Sequence, residues 1–358
     1  MTTESEGRMS TTLVAGAHGV VGGAVTRALA KAGTEVVTMS RRGPVTVDGT
    51  PIGEHIAVDL LDPLAVGSAL SRRSDVDSVV FAAYVERPTM AETVAPNLAM
   101  LVNLLDGLVA AGHPLRRVVL IGGGKSYGEH LGNYKTPAKE SDPRFLGPIF
   151  YNDQEDALAA HAERHGYTWT VLRPDAVIGP SIGSPMNMLA GVAVYATVCK
   201  RLGVPLRFPG TERAWTALHQ ATDARVIADA TLWALEAAAA DGETFNVTNG
   251  DNFRWQHLWP DIASVFEMET APPQPMSLQE QMADKAGVWD EIVAEHNLVA
   301  LTLDQAVSWP FVDGWFATES DMVQSTIKIR QAGFGGCIDS HRSFVENIEG
   351  LRGLALIP

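Results

Sequence analysis

Two side chains in this sequence have the types needed for proton and oxyanion chemistry. Lys125 closes the run Leu120-Ile121-Gly122-Gly123-Gly124-Lys125, and Tyr151 stands near the start of Phe150-Tyr151-Asn152-Asp153-Gln154-Glu155-Asp156. A phenol can donate a proton, or a hydrogen bond to an oxyanion forming on a substrate. An ammonium nearby lowers the pKa of such a phenol through its charge. Four residues beyond Tyr151 stands Glu155 rather than a lysine, so the two groups do not share one helical turn. Alone, a tyrosine is an ordinary half-buried residue and a lysine an ordinary solvated one. Their value depends on the elements that carry them.

A dinucleotide would sit at the start of the chain. Gly16-Ala17-His18-Gly19-Val20-Val21-Gly22 follows one apolar run and opens a helical pattern. Glycines in that context let the backbone turn tightly and approach a pyrophosphate at a helix N-terminus. Gly16, His18, Gly19, Val20, Val21 and Gly22 are the expected contacts. The second strand ends in Ser40-Arg41-Arg42, with no carboxylate to hold ribose hydroxyls. Two guanidiniums beside a hydroxyl match a 2′-phosphate, which favours NADP(H). Asp59 and Leu60 are expected to border the adenine. Ala82 and Ala83, at the end of the fourth strand, leave room for ribose.

The order of elements places these residues. Strands are predicted at Thr12–Ala15, Glu35–Ser40, His55–Asp59, Ser78–Ala83, Arg117–Gly122, Trp169–Arg173 and Phe245–Val247, with helical patterns between them, notably Ala91–Ala111 and Asp223–Ala240. Alternating strands and helices imply a doubly wound parallel α/β sheet of the Rossmann type. That alternation stops from Gly179 to about Ala221 and again after Asp251. A smaller, mostly helical lobe built from residues 181–221 and 251–358 is expected to cover the substrate. Residues 11–180 and 222–250 form the dinucleotide-binding domain, preceded by a flexible tail at 1–10. Lys125 then lies just past the carboxyl end of the fifth strand, where open α/β sheets place their ligands.

Composition narrows the partners. A formal charge of −15 over 358 residues argues against nucleic acid or an anionic membrane. Two cysteines and no apolar leader suggest a reducing cytoplasm. The uncharged run Ile182 to Cys199 contains Gly183, Pro185, Asn187 and Gly191, which reads as a buried or pocket-lining helix rather than a membrane span. A homodimer is expected from the frequency of such assemblies.

The sequence resembles the progesterone 5β-reductase/iridoid synthase-like reductases, extended short-chain dehydrogenases that lack the usual Tyr-x-x-x-Lys pair. The likeness runs through Gly16–Gly22, Ser40-Arg41-Arg42, Asp59, Asn97, Gly124-Lys125-x-Tyr127, Phe150-Tyr151 with Glu155-Asp156, Leu172-Arg173-Pro174 and Met186-Asn187-Met188-Leu189. It implies hydride addition from NADPH to the C=C bond of an enone or enal. In that scheme Tyr151 stabilises the enolate oxygen, and Lys125 supports both Tyr151 and the cofactor ribose. It also implies cofactor contacts at Gly123, Pro174 and Val177, and a pocket for a small apolar carbonyl compound at Tyr84, Leu131, Tyr134, Met186 and Phe311. Three departures border the substrate. Ile149-Phe150-Tyr151-Asn152 stands for Asn-Phe-Tyr-Tyr, Ala83-Tyr84 replaces Thr-Trp, and Ser126-Tyr127-Gly128-Glu129-His130 replaces a loop that usually holds Gly-Pro.

Two other readings stand beside this one. Carbonyl 1,2-reduction would use the same hydride and tyrosine, and a non-catalytic NADP sensor would use only the dinucleotide site. His161-Ala162-Glu163-Arg164-His165 lacks the Glu position of a zinc protease and reads as a solvated helix face, so no metal is expected. Asp223 and Asp229 are assigned helix capping and charge pairing. Trp215, Trp233, Trp255, Trp259 and Trp289 are expected to anchor the second lobe.

Overall fold

The computed structural model of the chain describes residues 10–47 and 49–358. Of the expected tail at 1–10, all but Ser10 lies outside the described residues. Seven strands form the main sheet: β1 Thr11–Ala15, β2 Glu35–Ser40, β3 Glu54–Ala57, β4 Ser78–Phe81, β5 Arg117–Ile121, β6 Thr168–Pro174 and β7 Glu243–Val247. Their spatial order is β3-β2-β1-β4-β5-β6-β7, and the run from β3 to β6 is parallel. The order reverses between β1 and β4, so a crevice opens there at the strands' carboxyl ends. Interior strands with both faces covered are apolar throughout, and β1, β4 and the centre of β5 are buried accordingly.

Helices α1 Val20–Lys31, α2 Pro63–Leu70, α3 Met90–Ala110 and α4 Phe150–His165 connect the strands. Asp62 caps α2 through Leu64 N and Ala65 N, and Pro63 sits at its first turn. A capping box between Thr89 and Glu92 starts α3. Although α3 is long and apolar enough to match a membrane span, its Leu101, Leu104, Leu105 and Leu108 pack into the core beneath the sheet. The expected helix Asp223–Ala240 is Ala224–Glu236 followed by a short 3-10 turn at Ala238–Ala240. Asp223 accepts from Arg225 N and pairs with the Arg225 guanidinium at 2.7 Å, the capping and pairing role expected of it.

The chain divides into two compact units, each with its own core. The first holds the chain up to Gly122, Leu146–Leu172 and Ala228–Phe245; the second holds Gly123–Phe145, Arg173–Ile227 and Asn246–Pro358. The expected division put residues 123–145, 173–180, 222–227 and 246–250 with the sheet, and here they belong to the second unit. These stretches run on directly from strands or into a helix of the first unit, so sequence continuity hid the boundary.

The second unit is mostly helical, and its longest helix is α5, Met188–Leu202. Helix α5 falls in the uncharged run and is buried on almost every side, with Asn187 as its N-cap. Around Phe208 lie Trp215, Trp255, Trp259 and Phe316, with ring centroids 5.0–5.7 Å away. Trp289 is also buried in this core. Trp233 is a correction: it packs edge-on against Phe245 at 5.4 Å, within the first unit. The face holding His161 is a second correction. His161 is buried, shares a 2.7 Å hydrogen bond with the Tyr167 hydroxyl and lies 3.2 Å from Asp106.

Candidate active site

In the first unit, the glycine loop is shaped by close backbone approaches. Gly16 has φ +83°, and a Cβ there would stand 2.6 Å from Ala82 O and Ala83 N. A Cβ on Gly22 would stand 2.2 Å from Gly16 O. The loop therefore lies against Ala82 and Ala83, and α1, with Gly19 at its N-cap, has no side-chain cap and no acid in its first turn. An uncapped N-terminus with no carboxylate nearby is suited to an anion. The residues present fit a dinucleotide pyrophosphate.

The turn after β2 is folded on itself. Arg42 N donates to Ser40 Oγ at 3.2 Å, and both Arg41 and Arg42 are exposed. His55 Nε2 lies 2.6 Å from Arg42 O, and His18 contacts Gly43 O, so two imidazoles brace this basic turn. Burial pushes the pKa of His18 below its ordinary value, and the Arg42 charge adds to the shift. Asp59 is exposed and accepts from Leu61 N at 3.0 Å, while Leu60 is buried.

Tyr151 is half-buried in the first turn of α4. Gln154 on the same helix donates to Asn97 O at 2.8 Å, tying α4 to α3. Asn97 itself is fully buried and clamps the segment after β4. Its Oδ1 accepts from Val85 N at 2.9 Å, and its Nδ2 donates to Val85 O at 2.8 Å. This clamp fixes Tyr84, whose ring stacks on Phe150 at 5.3 Å, while Phe150 lies 4.2 Å from Tyr151. Burial and the Glu86 carboxylate, which accepts from the Tyr84 hydroxyl, push the Tyr84 phenol pKa up.

In the second unit, Lys125 sits on a 3-10 turn, Gly124–Tyr127. Tyr127 anchors that turn: its hydroxyl donates to Asn246 Oδ1 at 2.6 Å and accepts from Arg173 Nη1 at 2.9 Å. The Arg173 guanidinium also lies over the Tyr127 ring, 5.1 Å from its centroid. Lys125 is exposed and lines a cavity of about 730 Å³. Leu131, Phe311, Trp315 and Met322 give this cavity apolar walls, and Glu129, His130, Arg213 and Glu319 give it polar ones. Leu131 is 64% exposed and open to the cavity.

Of the expected pocket residues, the structure brings Leu131 and Phe311 together with Lys125. Tyr134 does not line the cavity; its hydroxyl accepts from Val323 N at 3.1 Å, beside the lining residue Met322. Met186 is half-buried just ahead of α5, outside the cavity lining. Gly123 and Pro174 are buried, and Val177 pairs with Thr222 in a short parallel bridge.

Sequence reasoning missed two carboxyls in this unit. Glu129 lines the cavity, and Asp175 is buried, with Oδ1 accepting from Ala176 N at 2.7 Å. Burial, and for Glu129 also the neighbouring Asp175 charge, hold both well above the usual carboxylate range. The available signal was the loop itself, where Gly128-Glu129-His130 departs from the pattern it resembles.

A seven-stranded sheet in this order, with a glycine loop at its switch point and a helical second unit, defines an extended short-chain dehydrogenase fold. The UDP-glucose 4-epimerase of Thermotoga maritima, solved with UDP-glucose, has that fold: TM-score 0.68, 17% identity, 96% of this chain and 99% of that one covered. The Thermus thermophilus UDP-glucose 4-epimerase, solved with NAD, matches at TM-score 0.66 and 18% identity, with 96% and 99% covered. The family is set by sequence. Residues 67–325 match the PRISE-like Rossmann-fold domain, so the chain belongs to that family and is an oxidoreductase of the short-chain dehydrogenase superfamily. An (S)-8-oxocitronellyl enol synthase of Camptotheca acuminata is 33% identical, covering 98% of this chain and 93% of that one. A 3-oxo-Δ(4,5)-steroid 5β-reductase of Arabidopsis thaliana is 32% identical over the same shares.

Proposed function

We propose that this protein reduces the C=C bond of a small, apolar enone or enal, with NADPH as hydride donor. The observation that carries this reading is the cavity at Lys125, walled by Leu131, Phe311, Trp315 and Met322, in a chain whose relatives are named as an enol synthase and a steroid 5β-reductase. Aromatic and methionine walls suit flat apolar substrates, and a few polar groups orient them.

Gly16, Gly19 and Gly22 would hold the cofactor pyrophosphate on the N-terminus of α1, with His18, Val20 and Val21 beside it. Ser40, Arg41 and Arg42 would receive the 2′-phosphate, which favours NADP(H) over NAD(H). Asp59 and Leu60 would border the adenine, and Ala82, Ala83, Gly123, Pro174 and Val177 the remainder. The bound cofactor supplies a hydride. Tyr151 donates a hydrogen bond to the carbonyl oxygen as negative charge develops on it, and Lys125 supports that phenol electrostatically. Tyr84, Tyr134 and Met186 are assigned to the substrate boundary along with Leu131 and Phe311.

The test is NADPH oxidation against a panel of enones and enals, with products identified by mass spectrometry. Saturated carbonyl products are expected. Allylic alcohols would move the activity to carbonyl reduction. Tight NADPH binding without turnover across the panel would favour a sensor.

A further inference from the structure

The cavity wall next to Lys125 holds more polar chemistry than stabilising an enolate oxygen requires. Oε2 of Glu129 is fully buried, with the Gln324 side-chain amide as its hydrogen-bonding neighbour. Behind the lining, Oδ2 of Asp175, Oγ of Ser126 and Oε1 of Gln324 are buried without hydrogen-bond partners, on residues that are themselves 0–2% exposed. The Glu129 carboxyl and the Gln324 amide converge on one point: a Cβ on Gly124 would stand 2.0 Å from Glu129 Oε2 and 2.4 Å from Gln324 Nε2. The glycine directly before Lys125 leaves the space that the carboxyl occupies. His130 Nδ1 and Ser320 Oγ, on two more lining residues, are also buried without partners. Glu129, His130 and Ser320 therefore bring buried polar atoms to the cavity lining beside Lys125.

The neighbours of Glu129 act on it in opposite directions. Burial and then the Asp175 charge disfavour its ionised form, while the Lys125 charge and a hydrogen bond from the Gln324 side chain favour it. Tyr134, whose phenol pKa is raised by burial and by Asp175 and Glu129, faces the same pair. Burial and the Asp175 charge raise the Glu129 pKa above its ordinary value, which favours the protonated carboxyl.

We propose that Glu129 is the acid that delivers the proton to the substrate α-carbon, so that the product leaves as a saturated carbonyl compound of one α-configuration rather than as an enol. This rests on the conjugate reduction proposed above. Hydride adds to the β-carbon, and the C=C electron pair moves to make the enolate. The enolate pair then takes the Glu129 proton at the α-carbon, so a C–H bond forms as the carboxyl O–H bond breaks. Glu129 is left as a carboxylate beside the Lys125 ammonium, and water at the cavity restores its proton. A positioned acid contributes on the order of 10²–10⁴ in rate. The distinction matters because one group of relatives is named for an enol product and another for a reduction.

The experiment uses the full chain with NADPH and an α-methylated cyclohexenone in D2O. The unsubstituted protein should give one α-configuration carrying one α-deuterium. Glu129→Gln should keep oxidising NADPH more slowly and give a near-racemic α-centre, whereas Glu129→Asp should recover part of the selectivity. An infrared difference spectrum between the unsubstituted protein and Glu129→Gln should show a protonated carboxyl band at neutral pH. Unchanged α-configuration in Glu129→Gln, or absence of that band, overturns the donor role and leaves conjugate reduction standing. No NADPH oxidation by the unsubstituted protein overturns conjugate reduction itself, and the donor role with it.

Discussion

Gly16 and Gly124 are both closed to a larger residue, but different neighbours close them. At Gly16 the obstacle is main chain, Ala82 O and Ala83 N at 2.6 Å, and φ is +83°. At Gly124 the obstacles are side-chain tips, Glu129 Oε2 and Gln324 Nε2. The same contrast runs through both units. In the first, Asn97 and the folded turn at Ser40-Arg41-Arg42 satisfy backbone groups with well-formed hydrogen bonds. Among the described residues, Asn152 Oδ1 is the one buried side-chain atom of that unit without such a partner, and the others all lie in the second unit. A dinucleotide site made of backbone is preformed and tolerates little change. A cavity made of side chains can be refitted by substitution, as the departures at Glu129 and His130 illustrate.

The largest expected effect tests whether the contrast reaches catalysis. Tyr151→Phe removes the proposed oxyanion donor and should lower kcat by on the order of 10²–10³, measured as enone-dependent NADPH oxidation. Lys125→Ala should lower it in the same direction, with NADPH still bound when measured by fluorescence.

The two glycines break the comparison directly. Gly16→Ala forces a strained backbone against main chain and should cost about 1–3 kcal/mol, along with most NADPH affinity. Gly124→Ala needs only side chains to move, so its urea midpoint should shift less, while the α-configuration of the product degrades. Equal loss of stability in the two variants would erase the distinction between a backbone-built and a side-chain-built site.

A smaller effect concerns the cofactor. Arg41→Ala and Arg42→Ala should each weaken NADPH by about tenfold, the scale of one charge-assisted hydrogen bond, and leave NADH nearly unchanged. Titration with both cofactors reads the ratio.

The smallest effect is a difference in pH response. In the first unit, the Arg73 guanidinium holds the Asp75 carboxyl at about 2, below its ordinary value. That stability is present above the unfolded pKa and is lost as pH falls through about 2. In the second unit, burial raises the Asp175 carboxyl to about 7. There the relative stability is full below the unfolded carboxylate pKa and is lost as pH rises through about 7. Asp175→Asn should therefore raise the urea midpoint at alkaline pH relative to the unsubstituted protein, with little difference near pH 4.

Much of the first unit was legible in the sequence because its signals are local. The expected strand Glu35–Ser40 matches β2, and Arg117–Gly122 overruns β5 by one residue, since interior parallel strands are short apolar runs between polar turns. The glycine loop could be placed because a strand precedes it and a helix follows. The two-residue pairings Thr46–Val47 with Thr50–Pro51, and Leu206–Arg207 with Thr270–Ala271, are too short to show any period. Trp233 was assigned to the wrong core because a tryptophan's size signals burial and says nothing of where it is buried. Glu129, Asp175 and Gln324 stand far apart in sequence, and each alone is an unremarkable polar residue. Only the fold brings Asp175 and Gln324 to act on Glu129.

The most direct test of the central claim follows the hydride itself. NADPH carrying deuterium at the transferred position is turned over with an enone, and the label is located in the product by NMR. Conjugate reduction predicts a saturated carbonyl compound with deuterium on the β-carbon. Deuterium on the carbinol carbon of an allylic alcohol would contradict it.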